Sequence, residues 1–280
     1  MRPVNDVRCA LGEGPLWHPV RAEPYWFDIT GRTLHAPDRS WSFDEMVSAA
    51  GWIDRDRLLI ATETRLMRFD LATGADETLC ALEADRPANR SNDGRADPQG
   101  GFWIGTMGKR AEHGAGSIWR WYRGELRRLY AGISIPNAIC FPPGGRSACF
   151  TDTPTRRLMR VALDASGWPK AAPTCWLDLG AEGLNPDGAV FDAEGRLWLA
   201  QWGAGRVAVH APGGAFLRAL PVPAAHASCP AFGGPDQTDL YVTTARQGLA
   251  APGPLDGATF HGGGHGPGQA EHRVLLPEGA

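Results

Sequence analysis

Short apolar runs rich in Val, Ile, Leu, Phe and Trp recur along the chain between clusters of Gly, Pro and Asp, and helical three-four spacing is almost absent. Runs of this length bounded by turn residues predict β-strands. The stretch NPDGAVFDAEGRLWLA, residues 185–200, shows the unit: two apolar runs, 189–191 and 197–200, flank the turn residues Asp192 to Gly195 and predict a hairpin. Asp187 precedes the first run, at the end of the hairpin away from the turn, where turn geometry does not ask for a carboxylate.

The same unit repeats. In NDGRADPQGGFWIGT, Asp97 stands for Asp192, Gly100 for Gly195 and Trp103 for Trp198, and Asn92 falls where Asp187 does. NAICFPPGGRSACFTDT puts Asn137 at that place, and EGPLWHP puts Glu13 there. Two weaker copies, AAGWIDRDRLLIAT and SCPAFGGPDQTDLYVTT, supply Ala49 and Ser228. The spacing is roughly forty-odd residues, the length of a four-stranded propeller blade, so the expected fold is all-β, a six-bladed β-propeller forming one domain over 1–280.

In a propeller the first strand of each blade lines the central channel, so these six positions meet around one mouth of it. Two are carboxylates, two carboxamides and one a hydroxyl. Carboxylates converging in a narrow channel repel unless a cation joins them. An all-oxygen site without Cys or His favours one hard divalent ion, Ca²⁺, Mg²⁺ or Mn²⁺, with Zn²⁺ or Fe²⁺ also able to occupy it.

Charge and composition narrow the partners. A formal net charge of −3 with no basic run offers no footprint for nucleic acid or an anionic membrane surface. No window has the roughly 18–20 apolar residues of a membrane span and the N-terminus has no apolar signal core, so a soluble, cytoplasmic protein is expected. Six scattered cysteines without a C-x-x-C pair argue for reduced, mostly buried thiols. No nucleophile elbow or Ser/His/Asp set stands in a strand-turn-helix context, which disfavours a serine hydrolase.

The motifs LGEGPLWHP, NRSNDGRADPQGGFWIGTM, IPNAICFPPGG, NPDGAVFDAEGRLWLAQWGAGRV and AFGGPDQTDLYVTTAR, in this order from Leu11 to about Gly248, resemble the gluconolactonase/regucalcin (SMP-30) family of six-bladed propellers. The resemblance implies hydrolysis of a small-molecule sugar lactone with one divalent metal at the channel mouth. It implies Glu13, Asn137 and Asp187 as metal ligands and Arg90 and Asn92 as substrate contacts. A metal ion there would polarise a lactone carbonyl and acidify water, and Asp187 is the candidate to take the proton from the attacking water. A non-catalytic calcium-binding propeller and a calcium-dependent esterase are the alternatives; a scaffold has no need of Arg90 and Asn92 beside the ion.

Further residues carry subsidiary expectations. Lys109 and Arg110, with His113, cluster after the third blade's GTM and are read as binding an anionic group on the lactone, with Arg110 bidentate. Asp93 should point away from the channel by strand alternation and serve a turn. His18 reads as a surface turn residue. The His- and Gly-rich segment 260–272 departs from the family's apolar last-blade strand and reads as a flexible loop rather than a metal tract.

Overall fold

The computed structural model describes residues 1–277. Its strands form six four-stranded antiparallel sheets. Their inner strands are Gly12–His18, Val47–Trp52, Asn89–Ala96, Pro136–Cys140, Asn185–Phe191 and His226–Gly233. Each packs against the inner strands of the two neighbouring sheets, the last against the first, closing a six-bladed β-propeller. The sole helical turn among the described residues is the 3₁₀ segment Thr153–Thr155.

Local chemistry explains why the repeats fold alike. The equivalent turn glycines Gly100, Gly145 and Gly195 all take positive φ, at 90°, 63° and 77°, where a Cβ is disfavoured. Asp97 and Asp192 accept backbone N–H groups inside their own turns and also salt bridges, from Arg120 and Arg196 at 2.6 Å. Trp103 and Trp198, one residue into or beyond the returning strand's start, are completely buried between blades. The packing therefore recurs with the sequence period.

Closure of the last blade comes from the opposite end of the chain. Arg2–Pro3 pairs with Phe260–Gly262, completing the sheet that begins with His226–Gly233. The first and last portions of the chain are thereby stitched into one sheet.

The segment 260–272 corrects the expectation of a loose loop. Phe260 is buried in the last blade, His265 lies edge-on to Trp198, and His272 lies edge-on to Phe141. Gln269 Nε2 donates to the carbonyls of Phe141 and Phe191, both at 3.1 Å, and Glu271 meets Arg95 at 2.5 Å. Beyond it, Val274 N donates to Trp52 O and Leu275 N to Gly100 O. The tail thus straps the ends of the inner strands of four blades, which turn chemistry alone did not reveal.

His18 is likewise not at the surface. It is fully buried at the end of the first inner strand, with Nε2 2.8 Å from the carbonyl of Asp54, a contact in which the ring donates. Its role is to join two blades. All six cysteines are free, and four are buried. Among the described residues no helix is long and apolar enough to cross a membrane.

Candidate metal and substrate site

Antiparallel pairing breaks once in every inner strand, between Glu13 and Leu16, Val47 and Ala49, Ser91 and Gly94, Asn137 and Cys140, Pro186 and Ala189, and Ala227 and Cys229. A bulge inserts unpaired residues and re-aims side chains. Glu13 and Asn137 are the last paired residues before it, whereas Asn92, Asp187 and Ser228 lie within it. In the second blade the unpaired residue is Ser48, so Ser48 rather than Ala49 is the counterpart of Ser228; Ser48 Oγ bonds Ser91 Oγ at 2.8 Å.

The backbone around the bulges is tight. Gly14 and Ala138, directly after Glu13 and Asn137, both adopt left-handed φ, 53° and 52°. For Ala138 this costs about 1–2 kcal/mol relative to an ordinary conformation, retained where it sets the direction of Asn137. A Cβ on Gly14 would strike the Ser48 carbonyl, and one on Gly188 would strike Cys229 of the adjoining blade.

Glu13, Arg90, Asn92, Asn137 and Asp187 line one cavity of about 200 Å³. Thr153 and Gln247 add polar surface, and Leu11, Met107, Ile135 and Trp202 supply an apolar wall. Arg90 Nη1 donates to Asn92 Oδ1 at 2.7 Å and to Ser91 O at 2.8 Å. Asn92 Nδ2 donates to Pro136 O at 2.9 Å and to Asn137 Oδ1 at 3.0 Å. Asn137 Nδ2 in turn donates to Thr153 Oγ1 at 2.9 Å.

The carboxylates are under-served. Among the described residues no side chain donates a hydrogen bond to Asp187, and Glu13 receives the Gly14 N–H at 3.3 Å. The structural acids Asp97 and Asp192, by contrast, are each met by at least three donors. Burial pushes Glu13 up to about 8, reinforced by Asp93, and raises Asp187 well above the usual carboxylate range, reinforced by Glu13 and Asp93. Arg90 is drawn down to about 10 by burial, against the pull of Glu13 and Asp187. Two carboxylates without side-chain donors and a carboxamide oxygen facing one cavity fit a hard divalent cation, which would relieve the repulsion. Among the described residues no three His, Cys, Asp or Glu side chains form a metal cluster, so the histidines of 260–272 do not compose one, and this donor set is two acids plus an amide.

Asp93 departs from its expected turn role. It is buried, accepts the Ile139 N–H at 2.7 Å, and is raised to about 6 by burial. Alternation misplaces it because the bulge between Ser91 and Gly94 leaves Asn92 and Asp93 both unpaired. The available signal was the acid-glycine dipeptide: Glu13-Gly14, Asp93-Gly94 and Asp187-Gly188 each fall at a bulge, where the neighbouring backbone or side chains leave no room for a Cβ.

Lys109 and Arg110 are not brought to the cavity. Lys109 Nζ pairs with Glu63 at 2.7 Å, and Arg110 Nε pairs with Glu112 at 2.9 Å with its side chain 88% exposed. His113 is held near Ser134 Oγ at 3.3 Å. The excess of positive charge seen in the sequence is cancelled by neighbouring acids, and Arg90 is the one cationic side chain among the cavity's lining residues.

Residues 11–246 match the family model described as SMP-30/Gluconolactonase/LRE-like region. The chain belongs to this family. A solved structure of a regucalcin from Agrobacterium tumefaciens, described as a calcium-binding protein, superposes with a TM-score of 0.95 at 40% identity, covering 98% of this chain and 97% of its own. An L-arabinolactonase of Azospirillum brasilense is 34% identical over 88% of this chain and 85% of its own length. A 6-deoxy-6-sulfogluconolactonase of Pseudomonas putida is 30% identical over 93% and 94%. In this SMP-30/gluconolactonase-like chain, the matched region contains all six bulges together with Glu13, Arg90, Asn92, Asn137 and Asp187, and Gln247 of the cavity lining falls just beyond it.

Proposed function

We propose that the protein is a divalent-metal-dependent hydrolase of sugar lactones, opening an aldonolactone to the aldonic acid. The observation that carries this reading is the convergence of Glu13, Asn137 and Asp187 with Arg90 and Asn92 in one cavity. Relatives named as lactonases, alike over most of the chain, support the reaction class.

Glu13, Asn137 and Asp187 would hold the ion. When bound, such an ion acts as a Lewis acid toward a carbonyl and lowers the pKa of water. Arg90, whose Nη1 is already ordered by Asn92, presents its guanidinium to sugar hydroxyls and to the oxygen that gains negative charge as the ring ester is attacked. Asp187 accepts the proton of the attacking water through whichever carboxylate oxygen the ion leaves free. Leu11, Met107, Ile135 and Trp202 shield the carbon face of the sugar from water. A purely structural calcium site is the competing reading, but it leaves the buried Arg90 beside the carboxylates without a purpose.

The test is a panel of aldonolactones followed by acid release, with metal stripped by exhaustive chelation and then restored. Hydrolysis should vanish on stripping and return with metal, while the propeller stays folded on its own core. Undiminished turnover in protein shown by elemental analysis to be metal-free would refute the mechanism.

A further inference from the structure

A carboxamide holds a cation through its oxygen alone; turned over, it presents two N–H protons instead. Something must therefore select which end of Asn137 faces the cavity. Thr153 Oγ1 has a single proton, and it is 2.8 Å from the carbonyl of Pro186, a group that only accepts. With that proton committed, Oγ1 can only accept from Asn137, 2.9 Å away, so the atom facing it is Nδ2. Asn137 Oδ1 is then turned the other way, toward Asn92 Nδ2.

The whole series has one direction. It begins at Arg90, a pure donor, passes through Asn92, Asn137 and Thr153, and ends on the Pro186 carbonyl, a pure acceptor. A flip would break three hydrogen bonds at Asn92 and two at Asn137. Its end also matters, because Pro186 directly precedes Asp187, so the Thr153 hydroxyl ties the fourth blade's proposed ligand to the fifth's. Thr153 itself is anchored by its own N–H on Ile135 O at 2.9 Å and opens the short 3₁₀ turn.

We propose that Thr153 is a positioning residue for the metal site, fixing the orientation of Asn137 and its spacing from Asp187. This rests on the metal-site reading given above. Valine at this position keeps the branched shape and loses both hydrogen bonds; serine keeps them. The probe is Mn²⁺ alone, titrated into metal-free protein and followed by the electron paramagnetic resonance signal of the free ion. Thr153→Val should weaken Mn²⁺ binding by about 10–100-fold, the range typical of groups that orient metal ligands, and Thr153→Ser should stay within about threefold of wild type.

Equal Mn²⁺ affinity in wild type and Thr153→Val, or an equal loss in Thr153→Ser and Thr153→Val, overturns the inference. Asp187→Asn separates the two levels. Should it bind Mn²⁺ as tightly as wild type, or should wild type not bind at all, the metal-site reading fails and this inference with it. Should Asp187→Asn lose binding while Thr153→Val keeps it, the role of Thr153 alone is wrong. Near-UV circular dichroism of each variant establishes that its propeller is intact.

Discussion

Replacing Glu271 with alanine would leave the Arg95 guanidinium buried without its partner. The two side chains are 9% and 6% exposed and meet at 2.5 Å, and Arg95 Nε has no hydrogen-bond partner. Water cannot easily compensate at that depth, and removing one member of a buried ion pair costs about 3–5 kcal/mol. Asp93 is the other carboxylate whose charge Arg95 feels, which places the effect near the lower end, about 3 kcal/mol. For a chain of this size that is a drop in Tm on the order of 6 °C. Urea unfolding of wild type and Glu271→Ala, followed by tryptophan fluorescence, measures it. The double variant Arg95→Met with Glu271→Met should recover most of the loss, because the uncompensated charge is gone. A single variant within about 0.5 kcal/mol of wild type would refute the view that the C-terminal strap is held by this pair.

Asp187→Asn keeps the shape and one oxygen but removes the charge and the proposed proton acceptor, so turnover should fall roughly a hundredfold or more. Asn92→Ala, which removes the acceptor that orders Arg90 and the donor that meets Pro136 O and Asn137 Oδ1 but leaves the charges in place, should cost at least about tenfold, and near-normal turnover in Asp187→Asn would exclude both roles assigned to it. Arg110→Ala should leave kcat/KM unchanged for neutral and anionic lactones alike, since Arg110 reaches solvent and Glu112 rather than the cavity. A roughly thirtyfold loss confined to anionic lactones would reinstate the anion site.

The blade repeat and its turns were legible in the sequence because they depend on residues a few positions apart. Turn glycines such as Gly100 and Gly195, the tryptophans after them and the strand-initial Glu13, Asn92, Asn137 and Asp187 recur with the blade, and their recurrence alone implied a ring. The bulges escaped notice because they are defined by what the partner strand does. Strict alternation therefore sent Asp93 outward, and the repeat register put Ala49 at the place that Ser48 holds. Lys109 looked available since Glu63, which pairs with it, comes from another blade, whereas the partner of Arg110, Glu112, stands two residues along and its pairing was open to a local reading. His18, the tail's Glu271 and the strand Arg2–Pro3 found their places through partners 36, 176 and more than 250 residues away. Local periodicity settles the blade and the ring position, because alternation and turn geometry act over a few residues. Closing the ring settles which charges are buried, which are paired and which way an amide points, because those depend on neighbours that only the folded propeller brings within a few ångströms.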